Sequence, residues 1–433
     1  MRYNPARLNG PLSAVVAPPY DVISLEDQDV LYKRHPYNCV RLILGRQFDG
    51  DSPTDNRYTR AHKHLEAWRQ EGAIAEDVHP AFYIYEQTYQ VLGSDGQSRS
   101  YTRRGVLTAL KLEPFGTGSV YPHEETFASH KADRLRLMQA CRANFSPVFG
   151  LVPDQDHSIE QHLAAAIEKK APDAEIKEES GIVNKLWVVT DAAFCKKLAE
   201  LAGPRKVFIA DGHHRYETAC LYREERMLND STPNIKGDRA FNYVLMMCVP
   251  MNDPGLLILP THRMVAEANN VSAQAFLTKA GEHFTTRNAT DTEIAVLAET
   301  REGPIEFGLV AAGGAKHILT VKPGAADAMA KACDKSQDWR DLDVAVLHQL
   351  LLKNILGLNG HHKGPNKEPV VYTKDHREVF ERVGKKSEFP LGFVMRPTRI
   401  EQVRAVAEHG EKMPHKSTFF YPKLLSGLVM RSL

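Results

Sequence analysis

Residues 206–219 read KVFIADGHHRYETA, and the predicted fold is organised around this stretch. Residues 206–210 are an apolar run of strand length, and a helix is expected to open at Thr218 and continue through Tyr222. Gly212 allows the backbone to turn sharply between the two elements. The start of a helix after such a turn presents unpaired N–H groups and a partial positive charge, both of which suit a phosphate.

The turn itself concentrates polar side chains. Asp211, His213, His214 and Arg215 fall within five residues, and burying them together requires polar partners. A helix cap would explain Asp211, but it does not explain the two imidazoles and the guanidinium. The turn is therefore a candidate functional site.

Composition describes an ordinary globular chain. With 433 residues, two domains or one elaborated domain are expected. A net charge of +1 provides no overall attraction to nucleic acid or to an acidic membrane, so neither is expected as a partner, and the oligomeric state stays open. The six cysteines form no CxxC pair, and no apolar run approaches a membrane span, so we expect a cytoplasmic protein with reduced thiols.

The periodicity predicts an α+β protein with a mixed or antiparallel sheet. Strands are predicted at residues 15–22, 39–45, 241–251 and 256–263, a hairpin at 81–89 and 101–112, and helices at 55–72, 131–141 and 342–355. Residues 271–335 alternate helix and strand and suggest an appended α+β lobe. We expect a core over residues 1–265 and a lobe over 266–433, of which residues 411–423 return to the site.

Three polar loops carry the chemistry: Pro122-His123-Glu124, residues 211–215, and residues 414–418. Each borders a strand-like run, so all three could lie at one sheet edge. Together they supply a carboxylate, imidazoles, a guanidinium, a lysine and hydroxyls, which suits phosphoryl transfer. The sequence contains neither GxxxxGK[ST] nor GxGxxG, which disfavours a P-loop or a Rossmann nucleotide site.

The segments FYIYEQ (82–87), PHEET (122–126), ADGHHRYETA (210–219), PTHR (260–263) and MPHKST (413–418) together resemble the domain of unknown function 1015 family over nearly the full chain. A more distant likeness is to the free serine kinases of the ParB/sulfiredoxin-like superfamily. Those kinases have a Pro-His-Glu segment, an Asp-Gly-His-His-Arg turn and a Pro-Lys-Thr-Thr segment in the same order. Here the third element carries one extra residue, and the first two lie further apart.

This resemblance implies a ParB/sulfiredoxin-like mixed-sheet core elaborated with extra α/β segments. It also implies a nucleotide (ATP or ADP) with Mg²⁺ and a small hydroxy substrate such as serine. Glu124 would be the base that takes the hydroxyl proton, grouped with His123 and Asp211 as catalytic residues. No metal site built from protein ligands alone is expected. The phosphates would be held by residues of the second and third motifs, which are Gly212, His213, His214, Arg215, Lys416, Ser417 and Thr418.

Alternatives stay open at this point. Glu125 is the rival of Glu124, and the loop could instead be solvated, with a helix cap at Thr126 or Ser129. Residues 416–418 could form an exposed turn, and residues 361–363 read as a solvated loop. Asp21 and residues 261–263 are weaker candidates for the same pocket. The competing functions are a non-catalytic nucleotide-binding regulator and a metal-assisted hydrolase that uses the histidines of the first two loops.

Overall fold

The computed structural model describes residues 1–229, 239–266, 271–358 and 369–433, so the predicted loop at residues 361–363 lies outside the described part. Its strands are β1 (Arg2–Tyr3), β2 (Ile74–Ala75), β3 (Phe82–Leu92), β4 (Ser98–Lys111), β5 (Val120–Tyr121), β6 (Ala143–Asn144), β7 (Val148–Val152), β8 (Ala174–Lys177), β9 (Val183–Val189), β10 (Val207–Asp211), β11 (Tyr243–Pro250), β12 (Leu257–Ile258), β13 (His262–Val265), β14 (Phe284–Asn288), β15 (Glu306–Ala311), β16 (Lys316–Val321), β17 (Val370–Thr373), β18 (Leu391–Val394), β19 (Phe420–Tyr421) and β20 (Arg431–Ser432).

The α-helices are α1 (Leu25–Arg34), α2 (Val40–Ile43), α3 (Arg57–Gln70), α4 (Ala128–Cys141), α5 (Ser158–Ile167), α6 (Ala192–Ala202), α7 (His213–Asn229), α8 (Ala273–Ala280), α9 (Asp291–Leu297), α10 (Ala325–Ala332), α11 (Gln337–Arg340), α12 (Asp343–Val346), α13 (His376–Val379) and α14 (Ile400–Glu408). Short 3₁₀ segments lie at Pro5–Arg7, Leu12–Ala14, Tyr20–Val22 and Ala240–Asn242, and π-helical segments at Leu347–Lys353 and Phe380–Lys385. None of the described helices combines the length and the apolar character needed to cross a bilayer.

A mixed eight-stranded sheet carries the organising turn. Its strand order is β5-β10-β7-β11-β4-β3-β9-β8, in which β5 pairs parallel with β10 and β7 pairs parallel with β11. The other neighbours are antiparallel, including the predicted hairpin of β3 and β4. Asp211 is the last residue of β10, and α7 begins two residues later. The strand–turn–helix prediction is confirmed, but the helix begins at His213 and not at Thr218.

The two faces of this sheet pack against different layers, as strand alternation requires. One face presents Ile84, Val106 and Ile209 to the apolar sides of α5, α6 and α7. The other face, with Tyr85 and Phe208 among its residues, shares a continuous core with the second sheet. The fold is thus a mixed α/β arrangement built on two sheets.

The second sheet is six-stranded and antiparallel, with the order β14-β16-β15-β18-β13-β17. Residues 271–335 supply α8, β14, α9, β15, β16 and α10, which is the predicted alternation of helix and strand. β13 precedes residue 266 in the chain but belongs to this sheet, so the sheet draws on both sides of the expected boundary. The two-domain division stays a prediction.

The C-terminal segment returns to residues 1–265, where the core is predicted. β19 pairs with β12, β20 pairs with β6, and the N-terminal ammonium of Met1 donates to the carbonyl of Met430 at 2.8 Å. The backbone N–H of Met413 also donates to the carbonyl of His123 at 2.8 Å. The end of the chain is therefore held against the loop that carries Glu124.

Two strand predictions are wrong. Residues 15–22 form a bridge at Ala17 between 3₁₀ turns, and residues 39–45 contain α2 instead of a strand. Val40, Leu42 and Ile43 are all buried, and so short an apolar run has no clear period by which a helix differs from a strand. The predicted strand at residues 256–263 divides into β12 and β13, which lie in different sheets.

Helix predictions with a clear period are confirmed. The predicted helix at residues 55–72 is α3, in which Ala61, Leu65 and Trp68 are buried at helical spacing. The Asn56 side chain caps its first turn by accepting from the N–H groups of Tyr58 and Thr59. The predicted helix at 342–355 begins as α12 and continues as a π-helical segment.

Candidate active site

The three polar loops meet. The Nε2 atom of His123 lies 2.9 Å from Oγ1 of Thr418, and Nδ1 of His213 lies 3.6 Å from a carboxylate oxygen of Glu124. Lys423, five residues beyond Thr418, forms an ion pair with Asp211. Segments that are far apart in the chain therefore form one site beside the C-terminal end of β10.

These loops border an open cavity of about 190 Å³. Three carboxylates line it, from Asp21, Glu124 and Asp211, and three lysines face them, Lys374, Lys416 and Lys423. The remaining wall includes the side chains of Thr261, Tyr372, Thr418 and Phe419. A small cavity with several convergent charges is typical of a site for a small polar ligand.

Asp211 is held between two cations. One oxygen accepts a hydrogen bond from Nη2 of Arg215 at 2.6 Å, and the other pairs with the Lys423 ammonium. Burial alone would raise the pKa of Asp211, but Lys423 and Arg215 outweigh it and hold that pKa below its ordinary value. Asp211 is therefore ionised at neutral pH and organises Lys423 within the cavity.

His123 links two of the loops in one definite tautomer. Its Nδ1 lies 2.8 Å from the carbonyl of Ile209, which can only accept, so Nδ1 carries the proton. Nε2 is then an acceptor, and the Thr418 hydroxyl donates to it. Burial lowers the pKa of His123 to about 4, so the ring is neutral at pH 7. It fixes Thr418 and has no free nitrogen for a ligand.

Glu124 and His213 form the second contact between loops. The backbone N–H of His123 donates to Nε2 of His213 at 3.3 Å, so the neutral ring carries its proton on Nδ1, the nitrogen that faces Glu124. Burial lowers the pKa of His213 well below its ordinary value. Burial and the nearby charge of Asp211 raise the pKa of Glu124 from 4.5 to about 7. A carboxylate with this pKa can accept a proton at neutral pH.

Gly212 is required by backbone geometry. Its φ of +89° lies in the region that disfavours side chains, and a Cβ atom there would lie 2.9 Å from the Arg215 guanidinium. The open turn lets Arg215 fold back onto Asp211.

Three of the predicted phosphate contacts point elsewhere. Nε2 of His214 accepts the N–H of Phe127 at 2.8 Å, at the start of α4, and Arg215 donates to Asp211 and to the carbonyl of Pro147. The Ser417 hydroxyl donates to the carbonyl of Pro414 at 2.5 Å. In this conformation these side chains brace the site, and their predicted role toward phosphate stays a prediction.

The first turn of α4 is not capped by the side chain of Thr126 or of Ser129, the two residues considered above. Phe127 occupies the cap position without a side-chain hydrogen bond, and its own backbone N–H donates to the imidazole of His214. The Thr126 hydroxyl instead donates to Glu217. This loop is therefore tied to α7, and Glu124 is held in place from that side.

Sequence reasoning missed Lys374 and Lys423, and it ranked Asp21 and Thr261 low. Lys374 directly follows β17 and belongs to no recognisable motif. Lys423 follows the quoted segment MPHKST closely, and an extra lysine beside a phosphate motif was the available signal. Each of these four residues lines the cavity.

No curated protein matches the chain. Among solved structures, the chain is similar to a free serine kinase in complex with AMP, at 13% identity and a TM-score of 0.34, over 73% of this chain and 86% of that one. It is also similar to a conserved hypothetical protein from Pyrococcus furiosus, at 11% identity and a TM-score of 0.33, over 74% of this chain and 92% of that one. A third likeness is to SbnI with C-terminal truncation from Staphylococcus aureus, at 11% identity and a TM-score of 0.31, over 74% and 85% of the two chains. TM-scores this low carry no weight in assigning a function to this chain.

The sequence family is clear. Residues 1–345 match the family described as "Protein of unknown function (DUF1015)". The match includes the loops with Glu124 and Asp211, whereas Lys374, Lys416, Thr418 and Lys423 lie beyond it. Because it covers most of the 433 residues, the chain belongs to the DUF1015 family.

Proposed function

We propose that the protein is a nucleotide-dependent phosphotransferase that acts on the hydroxyl of a small molecule, with a free amino acid such as serine as the acceptor. One observation carries the proposal. The Glu124 carboxylate, whose pKa is raised to about 7, faces a cavity that Lys374, Lys416 and Lys423 also line. A proton acceptor opposite a group of cations is what phosphoryl transfer to an alcohol needs.

The residues have distinct roles in this reaction. Glu124 takes the proton of the acceptor hydroxyl as its oxygen bonds to the terminal phosphorus of the nucleotide. The bond from that phosphorus to the bridging oxygen breaks, and the shortened nucleotide leaves with the electron pair. Lys416 and Lys423 lie where negative charge develops on the phosphates, and Asp211 orients Lys423 by ion pairing. His213 remains neutral, and its Nδ1 faces the Glu124 carboxylate at 3.6 Å.

A Mg²⁺ ion in this cavity would be coordinated partly by the phosphates of the nucleotide. Among the described residues, no group of three or more histidine, cysteine or acidic side chains has the geometry to hold a metal alone. Mg²⁺ needs only one or two carboxylates when phosphates complete its shell. Asp21 would provide one, because Asp211 is occupied by Arg215 and Lys423 and Glu124 acts as the base. The ion would supply charge neutralisation on the phosphates.

Two finer points belong to the same proposal. The mixed sheet around β10 would be the ParB/sulfiredoxin-like core, and serine would be the acceptor. The order of the three motifs along the sequence supports both, since the PHE, DGHHR and PHKST segments follow the order found in free serine kinases. Their meeting around one cavity supports a shared site.

The direct test is phosphorus NMR of the full chain with ATP or ADP, Mg²⁺ and L-serine. Formation of phosphoserine by the wild type, and its loss in Glu124→Gln, would support the proposal. Glu125→Gln is the matched control, because Glu125 is the adjacent exposed carboxylate and does not line the cavity. The absence of a phosphorylated product with either nucleotide, across a panel of small hydroxy compounds that includes serine, would overturn it.

A further inference from the structure

Lys374 reaches the cavity from the second sheet. It follows β17, the edge strand of the six-stranded sheet, and its Nζ atom lies 3.8 Å from the ring centroid of Phe419. The Nζ atom of Lys423 lies 4.6 Å from the same centroid. One aromatic ring therefore positions two ammonium groups, because a cation is attracted to the face of a phenyl ring.

The three lysines that line the cavity differ in whether a carboxylate pairs with them. Asp211 neutralises Lys423. Lys374 and Lys416 each lack a carboxylate within 4.0 Å among the residues that the structure describes, and the charges of Lys423 and Lys416 act on Lys374. Partial burial and the charges of Lys423 and Lys416 lower the pKa of Lys374. The free protein thus holds like charges close together, and an anion bound between them would relieve the repulsion.

We propose that Lys374, Lys416 and the ring of Phe419 form an oxyanion subsite. It would bind the anionic group of a small ligand, either the carboxylate of the acceptor or a phosphate of the nucleotide. This inference rests on the proposed function for the identity of the ligand, but not for the binding of an anion. The subsite combines Lys374, which directly follows a strand of the six-stranded sheet, with the C-terminal segment, so an anion would link the second sheet to the loops that carry Glu124 and Asp211.

Inorganic pyrophosphate is the probe, titrated into the full chain by calorimetry at pH 7 and low ionic strength. Lys374→Met should weaken pyrophosphate binding by about 10- to 100-fold, the usual effect of removing a charged hydrogen-bond partner, and Lys374→Arg should restore most of it. Lys416→Met is a second variant with the same expectation. Lys63→Met on α3 is the control, because that lysine is 69% exposed and is not among the residues that line the cavity.

Two comparisons identify the source of the oxyanion. If it is the acceptor carboxylate, wild type should prefer L-serine to L-serinamide in kcat/KM, and Lys374→Met should lose that preference. If it is a nucleotide phosphate, Lys374→Met should weaken ADP binding and leave adenosine binding unchanged. Either result supports the subsite.

Failure of the subsite can be distinguished from failure of the proposed function. Pyrophosphate that does not bind the wild type, or that binds Lys374→Met and Lys416→Met as tightly as the wild type, would overturn the subsite even if phosphoserine forms. Lysine-dependent pyrophosphate binding without any transfer by NMR would overturn the phosphotransferase and leave the subsite standing.

Discussion

Replacing Glu124 with glutamine should lower activity and raise stability together. The substitution keeps the shape of the side chain and removes its charge. As the general base, the carboxylate is expected to contribute about 10²- to 10⁴-fold to the rate. Its pKa rises from 4.5 to about 7 on folding, which at ~1.36 kcal/mol per pKa unit corresponds to a cost of roughly 3 kcal/mol for the ionised form. The side chain is 33% exposed, and solvent screening reduces this to about 1–2 kcal/mol.

The sign of the pH dependence follows from proton binding. Between pH 4.5 and 7 the folded state keeps a proton on Glu124 that the unfolded chain has released, so the wild type loses stability as the pH rises through this window. Glu124→Gln removes that loss. The variant should therefore match the wild type near pH 4.5 and exceed it by about 1–2 kcal/mol at pH 8.

Urea unfolding at pH 4.5, 6 and 8 measures the difference in unfolding free energy, and kcat/KM over the same range measures activity. Wild-type kcat/KM should rise as the pH increases through about 7, because the base acts only when ionised. Glu125→Gln should change neither quantity. A Glu124→Gln variant that keeps full activity, or whose stability difference does not vary with pH, would refute the reasoning.

Three further predictions concern the contacts between the loops. Lys423→Met should weaken ADP binding in calorimetry by about 10- to 100-fold, because Asp211 then no longer orients an ammonium toward the phosphates. An unchanged affinity for ADP would contradict this role of Lys423. Thr418→Val should lower the free energy of unfolding in urea by about 1–3 kcal/mol, because Nε2 of buried His123 loses its donor, whereas Thr418→Ser should retain most of the stability. Folding lowers the pKa values of His123 and His214 to about 4, so their contribution to the free energy of unfolding should be lost as the pH falls from 6.5 to 4. This pH dependence is opposite in sign to that of Glu124. His214→Gln should therefore make the urea midpoint less dependent on pH in that window.

Much of the fold follows from local patterns. The periodic spacing of Tyr58, His62, Leu65 and Trp68 predicts α3, and the alternating run with a glycine-containing turn predicts the hairpin of β3 and β4, because both patterns match the repeat of one element. The run at residues 39–45 carries no such information, because it is a short apolar run without a clear period. Its helix is decided by packing.

The candidate site also has one part that the sequence predicts and one part that depends on the tertiary structure. The sequence by itself determined the chemical content of the three loops, including Glu124 and Asp211, because unusual clusters of polar residues are visible without coordinates. Only the tertiary structure decided the direction of each side chain. It turned His214 and Arg215 into braces and brought Lys374 from another sheet into the cavity. Side-chain direction depends on partners distant in the chain, and no local spacing encodes which partner a buried polar atom will find.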